Sequence, residues 1–469
     1  MLVDSFRFQM PTNAKPETVS THFMRQHITI LLFVLTKLSF GQSDGHYSNF
    51  ATAFAKMDSV KTISINCMHM NELRTDGCDS LPYNIGTLTN LTGLYISESN
   101  IKSLPTSINQ LSRLKELGLN YLSSFNYESE LCKLTGLDSL EYLGLWMARI
   151  KVLPPCIGQI KSLRHIDLSQ NENLETNSAF KVFRLLPNLE KLNLSGIDNL
   201  KVIPKEILEI RNLQSIQLNY LKDKFDYETS FERMSSLKIS SLSLTNNWLN
   251  SLPQTITLLK NVTYIDLSDN NFKTLPIEVF ALTNLKHIKI QSNNRSFKTI
   301  GSGVSSLINL EKINLGNNWQ LDGKEAIISL SSLPKLKDLD FFGCRLDTIP
   351  DQIMNFIALE KLNLTRNPKI DFADLFIKLS KIKTLKYLDL SDNKLTILPK
   401  EIGLLTSLEY LVIGQNAIQT LPEEFFNLTN LKVINVYGNY NSKISDTELQ
   451  RIKERLPNCK IIDEWVFRD

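Results

Sequence analysis

Residues 385–402 read LKYLDLSDNKLTILPKEI, and 23 residues further along, at 408–425, the chain reads LEYLVIGQNAIQTLPEEF. The aliphatic residues keep their places while almost everything between them changes. Within LKYLDL the apolar Leu388 and Leu390 alternate with other positions, the two-residue period of a strand with one buried face, so Asp389 and Ser391 point outward. Working outward from these two stretches, the phrase LxxLxLxxN starts at Leu91, Leu114, Leu140, Leu163, Leu189, Leu213, Ile239, Val262, Leu285, Leu310, Leu336, Leu359, Leu385, Leu408 and Leu431, with a degenerate first copy at Val60. Spacings are mostly 23 or 26 residues. Such a period marks a stacked array of like units rather than a set of globular domains.

One copy cannot fold alone. It offers about six aliphatic side chains worth roughly 1.5 to 3 kcal/mol each when buried, against about 1 to 2 kcal/mol of backbone entropy for every residue ordered. Stacked copies close one another's open sides, and sixteen strands at about 4.8 Å give a sheet about 75 Å along its arc. The last position of the phrase is Asn at 171, 247, 270, 293, 318, 367, 393, 416 and 439, with Cys344 as a substitute; buried, it can satisfy backbone groups of adjacent turns. Ser99, Leu122, Ala148, Ile197 and Leu221 interrupt this series, which predicts a less regular N-terminal half. In the shorter return segments Pro399, Ile402, Leu405 and Leu408 recur every three residues, suiting an extended stretch and a 3₁₀ turn. In the longer ones Leu375, Leu379 and Ile382, and likewise Ala326, Leu330 and Leu333, stand at helical spacing.

From about residue 58 to 440 the chain resembles the leucine-rich repeat family, in the class written LPxxIxxLxxLxxLxLxxN. The resemblance implies an α/β fold: a right-handed solenoid or horseshoe, with a parallel sheet on its concave face and 3₁₀ turns and short helices on its convex face. The class is found in plant intracellular Ras-group-related repeat proteins, scribble-type scaffolds and exported bacterial repeat proteins. Such proteins bind other proteins along the concave face.

The flanks read differently. The run ITILLFVL at 28–35, preceded by Arg25 and His27 and followed by SFGQS, has the layout of a secretory signal peptide, too short to span a bilayer. The expected organisation is an N-terminal extension with signal peptide (1–43, the signal at 24–41), a cap and degenerate first repeat (44–90), the solenoid (91–440) and a cap helix (441–469) carrying Leu449, Ile452 and Leu456. Export to the periplasm, cell surface or medium is expected, a cytoplasmic scaffold starting at Met1 being the alternative. Cys67 and Cys78 are a candidate disulfide; the six cysteines are otherwise too few and scattered for a disulfide scaffold.

Lys and Arg number 52 and Asp and Glu 49, a net charge of +3 that gives no field for nucleic acid. No motif calls for a cofactor or a metal: GSGVSS at 301–306 lacks the lysine of a phosphate loop, and His165 and His287 lie five turns apart. With about 30 residues after the repeats there is no room for a catalytic domain, so a non-enzymatic, monomeric binder of a protein or peptide is expected. Candidate ligand-binding residues on the concave face are Tyr95, Tyr121, Tyr142, Trp146 and Met147 in the N-terminal third, then Tyr264, His287, Phe342, Arg366, Tyr387 and Tyr410. Aromatic side chains give large contact area at low entropy cost. If the signal reading holds, mass spectrometry of the exported chain finds Gln42 at its N-terminus; a cytoplasmic chain retaining residues 24–41 overturns it.

Overall fold

The computed structural model of the chain describes residues 45–67, 78–221, 225–293, 296–438 and 444–463. The apolar run at 28–35, the junction at Gln42 and Asn439 lie outside the described residues. Eighteen strands among the described residues form one open parallel sheet. They are β1 (His46–Tyr47), β2 (Thr62–Asn66), β3 (Gly93–Ser97), β4 (Glu116–Asn120), β5 (Tyr142–Gly144), β6 (His165–Asp167), β7 (Lys191–Asn193), β8 (Ser215–Gln217) and β9 (Ser241–Ser243). The series continues with β10 (Tyr264–Asp266), β11 (His287–Lys289), β12 (Lys312–Asn314), β13 (Asp338–Asp340), β14 (Lys361–Asn363), β15 (Tyr387–Asp389), β16 (Tyr410–Val412), β17 (Val433–Asn435) and β18 (Lys460–Ile462). Each strand pairs with the next in chain order, β1 on β2 through to β17 on β18. Strands β2 to β17 fall in the sixteen copies of the phrase, and one short strand extends the sheet at each end.

The copies stack in phase: Tyr387 lies opposite Tyr410, Leu388 opposite Leu411 and Asp389 opposite Val412. The central inward residue of every strand from β2 (Ile63) to β17 (Ile434) therefore joins one column in which none is more than 1% exposed. This is a leucine-rich-repeat solenoid, whose core is a continuous ribbon rather than a ball.

The asparagine series stitches one turn to the next. The Asn367 amide donates to the carbonyls of Phe341 (2.9 Å), Leu364 (3.0 Å) and Thr365 (3.0 Å), while its oxygen accepts from the Leu346 N–H at 2.8 Å. Where the series is interrupted, other groups take over. The Tyr127 hydroxyl donates to the Leu119 carbonyl (2.9 Å) and accepts from the Leu122 N–H (3.1 Å). Asn171 and Asn247 reach back to the N–H groups of Ile150 (2.9 Å) and Leu221 (2.7 Å). The Cys344 thiol donates to the Leu315 carbonyl at 3.2 Å. Strands β2 to β4 run to five residues, whereas β5 to β17 have three, so the N-terminal end does differ in form.

The return segments carry α1 (Phe50–Phe54), α2 (Tyr127–Glu130), α3 (Thr176–Phe183), α4 (Tyr227–Met234), α5 (Gly323–Leu330), α6 (Phe372–Leu379) and α7 (Asp446–Arg455), alternating irregularly with 3₁₀ turns such as Lys400–Leu404 after Pro399. Several helices do a job that periodicity did not disclose. Glu130 accepts from the Leu104 N–H (2.6 Å) while Lys133, one turn on, donates to the Leu104 carbonyl (3.2 Å). Ser230 and Arg233 hold Ile203 in the same way (3.0 and 2.5 Å), and Glu448 accepts from Leu421 (3.1 Å). Each residue so held precedes a proline, which keeps it extended and outside a helical ladder.

Cys67 is bonded to Cys78. A second disulfide, which the sequence reading did not anticipate, joins Cys132 to Cys156. Their separation of 24 residues is one repeat period, so stacking brings them onto adjacent turns. Cys344 and Cys459 are free and buried. Burial pushes their thiols up to about 12 and about 11.

Two outcomes are expected. Asn367→Ala leaves a buried N–H and buried carbonyls without partners, and lowers stability by about 3 kcal/mol in urea unfolding. A thiol reagent at pH 8 labels the native chain negligibly and labels two cysteines after denaturation without reductant.

Candidate functional site

In-register parallel strands turn the outward residues into columns. One column runs Glu116, Tyr142, His165, Lys191 across β4 to β7, and the next runs Tyr95, Gly118, Gly144, Asp167, Asn193 across β3 to β7. These columns floor a concavity of about 900 Å³ that extends from Ser64 on β2 to Gln291 just past β11.

Two glycines shape its N-terminal part. A Cβ at Gly118 would stand 2.9 Å from the Tyr95 ring, and one at Gly144 would stand 2.5 Å from the Tyr142 hydroxyl. Each tyrosine lies down over a residue without a side chain. The Tyr95 and Tyr142 rings are 6.5 Å apart, and Tyr142 meets the His165 ring edge-on at 4.8 Å. The Tyr95 hydroxyl donates to Glu116. Burial raises the Tyr142 phenol above its ordinary value, helped by the charges of Asp167 and Glu116. Burial also lowers the His165 imidazole, outweighing the opposite pull of Asp167, so the ring is held neutral. Trp146 closes this end, its N–H of the backbone donating to the Asn120 side chain at 3.0 Å.

The column flanking the floor has alternating signs. Lys115 pairs with Glu141 at 3.1 Å, Arg164 with Glu190, Lys286 with Glu311 at 3.5 Å and Lys386 with Glu409 at 3.6 Å. Such exposed pairs add about 0 to 1 kcal/mol each, but they neutralise one another and leave the floor to set the local charge.

The eleven candidate residues divide into separate groups. Tyr95, Tyr142 and Trp146 line the concavity. Tyr121, Met147 and Arg366 do not sit on the strand face as expected: they occupy the left-handed turn beyond the strand, at φ 49°, 50° and 59°. From that turn the Tyr121 ring stands 6.5 Å from that of Trp146, with the Arg149 guanidinium over the Tyr121 ring at 5.7 Å. Arg366 covers the Phe342 ring at 5.3 Å. Tyr264 meets His287 at 6.4 Å, and Tyr387 meets Tyr410 at 6.4 Å. The six candidates beyond the N-terminal third thus form three local clusters. Glu116, His165, Gly118 and Gly144 were missed as parts of the site. The signal for the last two was glycine at the same step of two successive copies, ELGLN and YLGLW, where strand glycine marks a close approach. Among the described residues no group of three or more His, Cys, Asp or Glu could hold a metal ion, and no helix is long and apolar enough to cross a membrane.

A lowered histidine value means that the fold prefers the neutral ring. That contribution is fully present above about pH 6.5 and is lost as pH falls through the lowered value. Urea midpoints between pH 7.5 and 5 are expected to fall less steeply for His165→Gln than for the parent chain.

Residues 338–454 match the family described as leucine-rich repeat region. The chain is similar to a volume-regulated anion channel subunit of Homo sapiens, at 29% identity over 54% of this chain and 31% of that protein. It is also similar to the flightless-1 homolog of Caenorhabditis elegans, at 25% identity over 46% of this chain and 19% of that protein. The chain thus spans about a third or less of the length of these relatives. Among solved structures it is similar to a leucine-rich-repeat protein of Leptospira interrogans, at 24% identity and a TM-score of 0.37, covering 89% of this chain and 99% of that one.

Proposed function

We propose that this leucine-rich-repeat protein is a non-enzymatic recognition module that captures a protein or peptide on its concave sheet, as a monomer, outside the cytoplasm. The observation that carries the reading is the floor itself. Strands fixed in register hold Tyr95, Tyr142, His165 and Trp146 at set spacings around a 900 Å³ concavity, and glycines at 118 and 144 make room for the rings. None of these outward side chains is needed for the stacking column, so their identity is free to serve a partner. Leucine-rich repeats generally mediate protein–protein contacts. The channel function of a longer relative is not carried over, because the chain spans only 31% of that protein.

The two disulfides support export, since such bonds persist in oxidising compartments. A second reading, an intracellular signalling scaffold, is favoured by the LPxxI return phrase. Cell fractionation separates the two: recovery of the folded, oxidised chain from the cytoplasm would overturn export.

The binding claim is tested with Tyr142→Ala combined with Trp146→Ala. Partner capture from the native surroundings is expected to fall at least tenfold, with the circular dichroism spectrum unchanged. Unchanged capture would place the partner elsewhere on the solenoid.

A further inference from the structure

Six carboxylates line the concavity against three cations, a net of three negative charges inside a chain whose overall charge is +3. Two of the cations are spent, Lys115 on Glu141 and Arg164 on Glu190. That leaves Glu116, Asp167, Asp266 and Asp269 against Lys191, and of these carboxylates Asp167 and Asp266 stand in one column of the floor. Their hydrogen bonds come from neutral groups: the Ser169 N–H (2.8 Å) and hydroxyl (2.5 Å) and the Asn193 amide (3.0 Å) for Asp167; the Ser268 N–H (3.1 Å) and the Tyr264 hydroxyl (3.2 Å) for Asp266. These donors fix the direction of each carboxylate without cancelling its charge. The negative field is felt nearby, since Asp167 and Asp266 add to burial in raising the phenols of Tyr142 and Tyr264. Lys289, next after Asp266 in the column, ends the acidic stretch.

The two carboxylates share one column, separated by Asn193, Gln217 and Ser243 on β7, β8 and β9. That is four strand steps, roughly 19 Å at about 4.8 Å each, which an extended peptide crosses in about six residues at ~3.3 Å. Amide and hydroxyl groups between the acids match the alternating N–H and C=O groups of such a backbone. Tyr142 and Trp146 offer ring faces to a cationic side chain.

We propose, on the basis of the concave recognition set out above, that the occupant is an extended basic peptide segment lying along the arc of the sheet, with two Lys or Arg side chains about six residues apart on Asp167 and Asp266.

Panning a random library of 12-residue peptides on the full-length chain tests this. The selected peptides are expected to carry two basic residues five to seven apart, and to bind Asp167→Asn/Asp266→Asn at least tenfold more weakly; Asn keeps the shape, and circular dichroism verifies the fold. Neutral or acidic selected peptides, or basic ones that bind the double variant undiminished, overturn the inference. If such peptides still lose binding to Tyr142→Ala/Trp146→Ala, concave recognition stands and only the basic occupant fails. An empty selection, or retention of immobilised glycans instead of peptides, counts against both.

Discussion

The structure depends on one constraint: no copy of the repeat can bury its own aliphatic side chains, so each is completed by its neighbours. An inward leucine such as Leu388 is covered by Leu362 of the preceding strand and Leu411 of the next, which face it across the sheet. Stability is then a sum over interfaces between adjacent turns, and register is strict because a slip of one residue would exchange the buried and exposed faces.

Strict register has two consequences. Buried polar groups recur at the same place on successive turns and need the same solution, which is why the asparagine oxygen serves the preceding turn while the amide serves both that turn and its own. Outward residues, released from packing duty, become a lattice of fixed pitch. The flanking column uses that lattice to alternate lysine and glutamate; the floor uses it to lay tyrosines over glycines and to place two aspartates four strands apart.

Much of this was legible beforehand because a period of 23 to 26 residues is itself a three-dimensional statement: residues one period apart are neighbours. The strands, the inward columns, the helices at Ala326 and Leu375 and the asparagine series all follow from it. The same rule would have paired Cys132 with Cys156, had the cysteines been read against the repeat instead of against one another. The site was less legible. Tyr121, Met147 and Arg366 sit one to three residues past the strand, where the chain turns through a left-handed conformation, and the phrase LxxLxLxxN does not distinguish that position from an outward strand position.

By itself, then, the sequence determined the stack: which faces are buried, which copies of the phrase lie side by side and which positions are left free, because apolar periodicity and backbone geometry act locally and repeat. Only the tertiary structure decided which free positions meet. Whether Tyr142 leans on His165, whether the Tyr127 hydroxyl replaces an asparagine, and whether Glu130 and Lys133 grip the backbone of Leu104 depend on rotamers and on contacts between turns. Those are settled by the shape of each neighbour, and no period in the chain encodes it.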